Sequence, residues 1–329
     1  MTGRRAVLRA LASAGMVATS PKVLSQRPSS TPRIGALWFA SSSDPLTRKY
    51  FAIFRQRLRE LGYVEGKTLF IEERFAEGKA ERLNDFAREF VDAKVDIIVA
   101  PAVAAATAAR RATDTIPIVM LHAGNPVGAG LIASLARPGG NVTGTANPVL
   151  AGKKLELMRE LVPRMTKLVV LINPSNAGAS RFVEGMNDAA RSFNITVAII
   201  EVTRAEDFSR AFASIRDARA DWLHAAEEPM ISAHRAELVG FTHSARLPLS
   251  SDVAETTRVG GLVSYAPAIA EHYTLAAAYV DKILKGAKPA DLPVQEPTRF
   301  ELFLNLKTAQ ALGLTIPLSV LLRADEVIR

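Results

Sequence analysis

The sequence predicts an α/β protein of two doubly wound, parallel-sheet lobes, on three observations. Strand-like and helix-like segments alternate with regularity from Arg33 onward. The strand-like segments are short apolar runs, as strands buried on both faces require. The alternation also occurs twice in tandem, on either side of VTGTANP at 142–148. Strands alternating with helices of about ten to fifteen residues build right-handed βαβ units, with sheets covered on both faces.

The elements follow in order. IGALWFA (34–40) is the first strand, and Ser43-Asp44-Pro45 offers an N-cap and a first-turn proline for the helix after it. That helix places Phe51, Phe54, Leu58 and Leu61 on one face at spacings of three and four, and Gly62 stops it. Next come strand 68–75, helix 81–93, strand 95–101, an Ala-rich helix 102–112, strand 116–121 and a short helix after Gly128. In the second half, helix 150–162 leads to strand 168–174, helix 179–193, strand 195–202 and helix 205–218. Strand 221–228, helix 230–245 and the short strand 248–252 follow. GGLVSYAP (260–267) then feeds an amphipathic helix, 269–285, assigned to the first lobe. The expected domains are 33–146 plus about 266–290 for the N-terminal lobe and 147–265 for the C-terminal lobe. The lobe that takes 291–329 stays open.

Residues 1–25 read as an export signal cleaved before Gln26. Arg4 and Arg5 start it, Leu8 to Ala18 is mostly apolar, and Val23-Leu24-Ser25 suits a signal peptidase. The apolar stretch is too short to span a bilayer, and the arginine pair resembles a twin-arginine signal, leaving the export route open. The expected location is the periplasm. Arg4, Arg5, Arg9 and Lys22 lie in this leader, which holds no acid, so the net charge of the remainder is +4 rather than +8. The other basic residues are dispersed among acids along helices, as in RQRLRE, and none clusters with aromatics as a nucleic-acid groove needs. No nucleic-acid partner is expected.

The roughly 300 remaining residues suit two lobes of ordinary domain size. The chain has no cysteine, which removes disulfides, thiol nucleophiles and lipid anchoring through an N-terminal cysteine. The five histidines, His122, His224, His234, His243 and His272, lack zinc-protease spacing. There is no nucleophile elbow and no phosphate loop, and GNPVGAG has the wrong spacing for a dinucleotide turn. Ser250, His243 and Asp252 make a Ser–His–Asp set only by proximity in sequence. Neither a catalytic residue, a metal nor a cofactor is expected.

In doubly wound sheets the ligand lies beyond the carboxyl ends of the strands, and two lobes can face those ends across a cleft. The loops there are rich in Ser, Thr, Asn and small residues, suited to a neutral or zwitterionic small molecule. Ser41, Ser42 and Ser43 precede a helix start, where free N–H donors favour a carboxylate, and simple N-capping by Ser43 or Asp44 is the competing reading. Glu227, Glu228 and Asp252 end strands, where one acid could pair with a ligand ammonium or, at Glu228-Pro229, merely begin a helix. Trp38, Phe39 and Tyr265 are candidate pocket walls or core. Trp38 and Phe39 point to opposite faces, so at most one faces the cleft.

The chain resembles the substrate-binding proteins of bacterial ABC importers, in the group that includes tryptophan- and tyrosine-type binders. The resemblance covers nearly the whole chain. It rests on FRQRLRELGYVEGKTLFIEERFAEGKAERL (54–83), GNPVGAGLIASLARPGGNVTG (124–144), KKLELMRELVP (153–163) and the ending 277–329. It implies a type I periplasmic-binding-protein fold whose lobes are joined by hinge strands at Ala146, Asn147 and Pro148 and at Ser264, Ala266 and Pro267. Family ligand loops map to Ser41–Ser43, Ala100, Pro101 and Ala102, His122 to Asn125, Asn173 to Asn176, Glu227, Glu228, Asp252 and Tyr265. Small residues are usual in the family where Trp38-Phe39 stand, glycines at Ala100–Ala102, Asp-Pro at Glu228-Pro229, and SYGP at SYAP. These departures bear on the ligand rather than on the fold. The expectation is a monomeric periplasmic solute-binding protein that captures a small organic ligand, an amino acid or aromatic acid. It would deliver that ligand to an ABC permease and ATPase complex. The alternatives are a ligand-sensing partner of a membrane receptor and an exported hydrolase.

Overall fold

Parallel strand order and helix returns place most of the described candidate loops at one of two facing sheet ends. The computed structural model describes residues 31–176, 178–226 and 228–329. The leader, its cleavage point before Gln26, and Glu227 lie outside the described residues.

The first series runs β1 (Arg33–Trp38), α1 (Pro45–Glu60), β2 (Phe70–Phe75), α2 (Ala80–Asp92), β3 (Ile97–Pro101), α3 (Ala102–Ala112), β4 (Ile118–Gly124) and β5 (Val142–Asn147). These strands form one all-parallel sheet in the order β2-β1-β3-β4-β5. Strand alternation decides its two faces. Ile34, Ala36 and Trp38 point to one core, while Leu37 points to the other. Asp44 caps α1 by accepting from Leu46 N–H (3.4 Å) and Thr47 N–H (2.9 Å), and Phe51, Phe54 and Leu58 bury its inner face.

The second series adds α4 (Ala151–Leu161), β6 (Lys167–Ile172), α5 (Ala179–Ser192), β7 (Thr196–Glu201), α6 (Asp207–Ala218) and β8 (Trp222–Ala225). It continues through α7 (Pro229–Ala233), α8 (Arg235–Ser244), β9 (Leu249–Ser251), α9 (Ala254–Arg258) and β10 (Val263–Pro267). After α10 (Ile269–Leu284) come β11 (Phe300–Asn305), α11 (Leu306–Leu312), α12 (Leu318–Leu321) and β12 (Glu326–Ile328). The second sheet has the order β12-β11-β10-β9-β8-β6-β7, and all its pairs are parallel except β10 with β11. The segment whose lobe the sequence leaves open thus supplies two strands of this sheet. Helix α10 returns to the first sheet, where Tyr273, Ala276, Ala277, Val280 and Ile283 pack with Phe51, Phe54 and Leu58.

Two local expectations differ. No helix follows Gly128: the segment closes turns from Ala129 N–H to Asn125 O and from Leu131 N–H to Pro126 O. Gly130, at φ +68°, then carries the chain out of helical space. The single helix 230–245 is broken at His234. There Arg235 Nε donates to Ser232 O (2.8 Å), so a side chain occupies a carbonyl that a continuing helix would use.

The chain passes between the sheets after β5, after β10, and a third time through 295–300. The third passage is tied to the first: Ala146 N–H donates to Gln295 O (3.0 Å) and Gln295 N–H to Gly144 O (3.1 Å). It is tied to the second by Glu271, whose carboxylate accepts from Thr298 N–H (3.1 Å), the Thr298 hydroxyl (3.2 Å) and Arg299 N–H (3.0 Å). Burial pushes the Glu271 pKa up, but these hydrogen bonds outweigh it and hold the group below the usual carboxylate value.

Candidate ligand cleft

The carboxyl ends of both sheets open onto one cavity of about 700 Å³, bordered by loops from each. Of the candidate residues, the structure brings Ser41, Ala102, His122, Asn125, Asn173, Asn176, Glu228 and Asp252 to this cavity, together with Asn147, Pro148 and Pro267 of the connecting strands. The other described candidates lie elsewhere, for reasons set by packing.

Trp38 is 2% exposed and sits in the core between Phe51 (centroids 4.8 Å apart) and Tyr273 (6.4 Å), while Phe39 borders the cavity instead. Strand alternation permits one of the pair, and Phe39 takes the place. Ser42 and Ser43 are folded into their own turn. Ser43 N–H donates to Ser41 Oγ (3.2 Å), Ser42 N–H donates to Glu77 (2.9 Å), and the cap of α1 is Asp44. Ala100 is fully buried and Pro101 is buried with it, so Ala102 alone reaches the cleft from that loop, at φ +62°. A side chain in that left-handed region costs about 1–2 kcal/mol, and a glycine there would not bear it. Tyr265 stacks on Phe300 (5.9 Å) against the second core, and Ser264 and Ala266 are paired with Phe303 and Glu301 inside the second sheet. Ala146 is buried in β5.

The two described candidate acids beside the second sheet are both engaged. Glu228 accepts from Asn173 Nδ2 (3.1 Å) and from Ile231 N–H (3.0 Å), which caps α7. Asp252 is paired with Lys154 of α4 at 2.5 Å, with both side chains about nine-tenths buried. Behind them, His224 Nε2 lies 3.6 Å from Asp252, and His224 Nδ1 lies 2.9 Å from Ser250 Oγ, which also accepts from Trp222 Nε1–H (2.8 Å). A Ser–His–Asp arrangement therefore exists, but through His224. His243 instead meets Gly260 O (2.8 Å). Ser250 is 5% exposed, does not border the cleft, and has its oxygen occupied from two sides.

The sequence reading missed several cleft residues. Tyr50 and Tyr273 of the first lobe and Phe182 of the second add aromatic surface, and Tyr50 and Tyr273 stack at 5.8 Å. Lys154 lies 5.1 Å from the Phe182 ring, which stacks on His224 at 5.3 Å. Arg181 and Arg235 also border the cavity. All of these are helix residues. A search confined to strand-end loops passes them over, and only the KK of KKLELMRELVP marked Lys154 at all. Among the described residues no group of three or more His, Asp or Glu side chains could hold a metal ion.

Burial governs three of the histidines, His122, His224 and His272. It pushes the pKa of both His122 and His224 down to about 4. Lys154 pushes the same way at His224, against Asp252. His272, hydrogen-bonded to Thr145 Oγ1 (2.8 Å), is pushed well below the ordinary value by burial and by His122. The unfolded chain takes up protons near the ordinary histidine pKa of about 6.5, whereas the folded chain does not. Stability held above that pH is therefore expected to fall progressively as pH drops from about 6.5 toward 4. Urea midpoints measured across that span should decrease, and constant midpoints would contradict the assignment of these rings as neutral.

A Clostridioides difficile protein named tyrosine-binding protein is 27% identical over 261 residues, 79% of this chain and 75% of that one. A crystal structure of an ABC domain from Streptococcus pneumonia in complex with L-Trp matches with TM-score 0.86 and 28% identity, over 91% of this chain and all of that one. A conserved domain protein from Vibrio cholerae matches with the same TM-score, identity and coverage. More distant periplasmic and solute-binding proteins share the fold alone, which is that of the type I periplasmic binding proteins. Residues 42–328 match the family model described as ABC transporter substrate binding protein, and the chain belongs to that family.

Proposed function

We propose that this chain works outside the cytoplasm as the monomeric capture component of an ABC importer. It closes its two lobes on a small aromatic organic molecule and hands it to a membrane permease driven by an ATPase. One observation carries the aromatic part of the reading. The cavity at the facing sheet ends is bordered by Phe39, Tyr50 and Tyr273 from the first lobe and by Phe182 from the second. Aromatic walls with a few placed polar groups, here Ser41, Asn125, Asn173 and Asn176, are the usual makeup of a site for a flat organic ligand. Two relatives, one named tyrosine-binding protein and one solved in complex with L-Trp, support the same class.

The three passages between the lobes support capture by closure, since few backbone connections need to bend. The ligand binds only the native form, so it raises stability by mass action, by about 2.7 kcal/mol at a hundredfold excess over Kd. For a protein of this size that is a melting shift of about 4 °C. Thermal melts of residues 26–329 with aromatic amino acids and aromatic carboxylates should show it for at least one compound. No shift with any of them would overturn the aromatic reading.

A further inference from the structure

The aromatic reading leaves the charge of the ligand open, and the cleft's own ionic groups decide it. Among the described residues, five carboxylates border the cavity: Asp44, Glu77, Glu228, Asp252 and Glu255. Each is held by the protein. Asp44 caps α1 at 2.9 Å from Thr47 N–H, where the helix N-terminus offsets its charge. Glu77 accepts from Ser42 N–H (2.9 Å), and Glu228 from Asn173 and Ile231. Asp252 is neutralised by Lys154 at 2.5 Å, and Glu255 is paired with Arg258 at 2.8 Å. The second oxygen of Glu255 has no hydrogen bond, but it is closed to solvent. An ammonium entering this cleft would give up its hydration and then compete with Lys154, Arg258 or a helix terminus for its partner.

The cations are disposed differently. Arg235 borders the cavity half-buried. Its Nε is fixed on Ser232 O, and its two terminal nitrogens have no partner among the described residues. Arg181 also borders the cavity, exposed, with no ion pair among the described residues. A guanidinium anchored through Nε presents its remaining fork in a geometry that matches a carboxylate bidentately.

We propose that the cleft selects an aromatic carboxylate that lacks an ammonium group, with Arg235 receiving the carboxylate and Arg181 adding positive charge at the cleft. This rests on the aromatic reading above and narrows it. The test is calorimetric titration of residues 26–329 with three matched probes: 3-phenylpropanoate, L-phenylalanine and phenethylamine. The indole series, 3-(indol-3-yl)propanoate, L-tryptophan and tryptamine, runs beside it. The carboxylate is expected to bind about tenfold or more tightly than the amino acid, and the amine not at all. Arg235→Ala is expected to weaken the carboxylate about tenfold or more, the cost of losing a charge-assisted pair, with Arg235→Lys falling between. Amino acids binding tenfold more tightly than the carboxylates would overturn the inference while leaving aromatic capture standing. Unchanged binding by a folded Arg235→Ala variant would overturn the anchor. Failure of all six probes would overturn both.

Discussion

Lys154→Ala is expected to lower the unfolding free energy by about 3–5 kcal/mol at neutral pH, the usual cost of removing one partner of a buried ion pair. Lys154 and Asp252 are 9% and 10% exposed in their side chains and lie 2.5 Å apart. Without Lys154 the Asp252 carboxylate faces His224, which burial keeps neutral at pH 7. The loss has a pH signature. Lys154 pushes the His224 pKa down and Asp252 pushes it up, so removing the lysine lets the ring protonate more readily in the folded state. A folded-state pKa that rises adds stability as pH falls, so the deficit should shrink between about pH 6.5 and 4. Urea unfolding of the parent and variant at both values measures this. Lys154→Met with Asp252→Leu, which replaces the pair with apolar volume, is expected to recover part of the loss. A single variant as stable as the parent would mean that the pair contributes nothing.

Gly144→Ala is the second large effect, about 3 kcal/mol or more of lost stability, from backbone strain and overpacking together. Gly144 sits in β5 at φ +129°, a conformation that side-chain-bearing residues rarely adopt. A Cβ there would stand 2.0 Å from Met120 O and 2.8 Å from Met120 N, both backbone atoms of the neighbouring strand. Neither can yield without breaking the β4–β5 pairing, which is already irregular between Met120 and Ala123. The same stretch carries the Gln295 contact and places Thr145 against His122 and His272, so the damage falls where the lobes are joined. Denaturant midpoints of the variant and parent decide it, and a difference within about 1 kcal/mol would show that the strand can shift to admit the methyl group.

Much of the cleft was legible because it is built from strand ends. A parallel sheet puts all its carboxyl-terminal loops on one edge, so locating the strands locates the loops that hold Ser41 and Glu228, whereas His122, Asn125 and Asn173 were marked through the family resemblance. Which side chain of each loop faces the cleft did not follow. Trp38 and Phe39 are equivalent in a local reading, and the choice is made by Phe51 and Tyr273, which arrive from other elements and close around the indole. The hydrolase alternative met the same limit. His243 is near Ser250 in sequence, yet β8 beside β9 puts His224 there instead.

By itself the sequence determined the alternation of strands and helices, the start of α1 within Ser43-Asp44-Pro45, and the two tandem series. These depend on local patterning, capping and φ preferences that act within a few residues. Only the tertiary structure decided the pairing of Lys154 with Asp252, the placement of the last two strands in the second sheet, and the third passage between the lobes. Those features join groups far apart along the chain, as Thr145 and His272 are 127 residues apart, and their energy comes from burial shared by both partners. A pattern read along one segment carries no record of which distant segment will cover it.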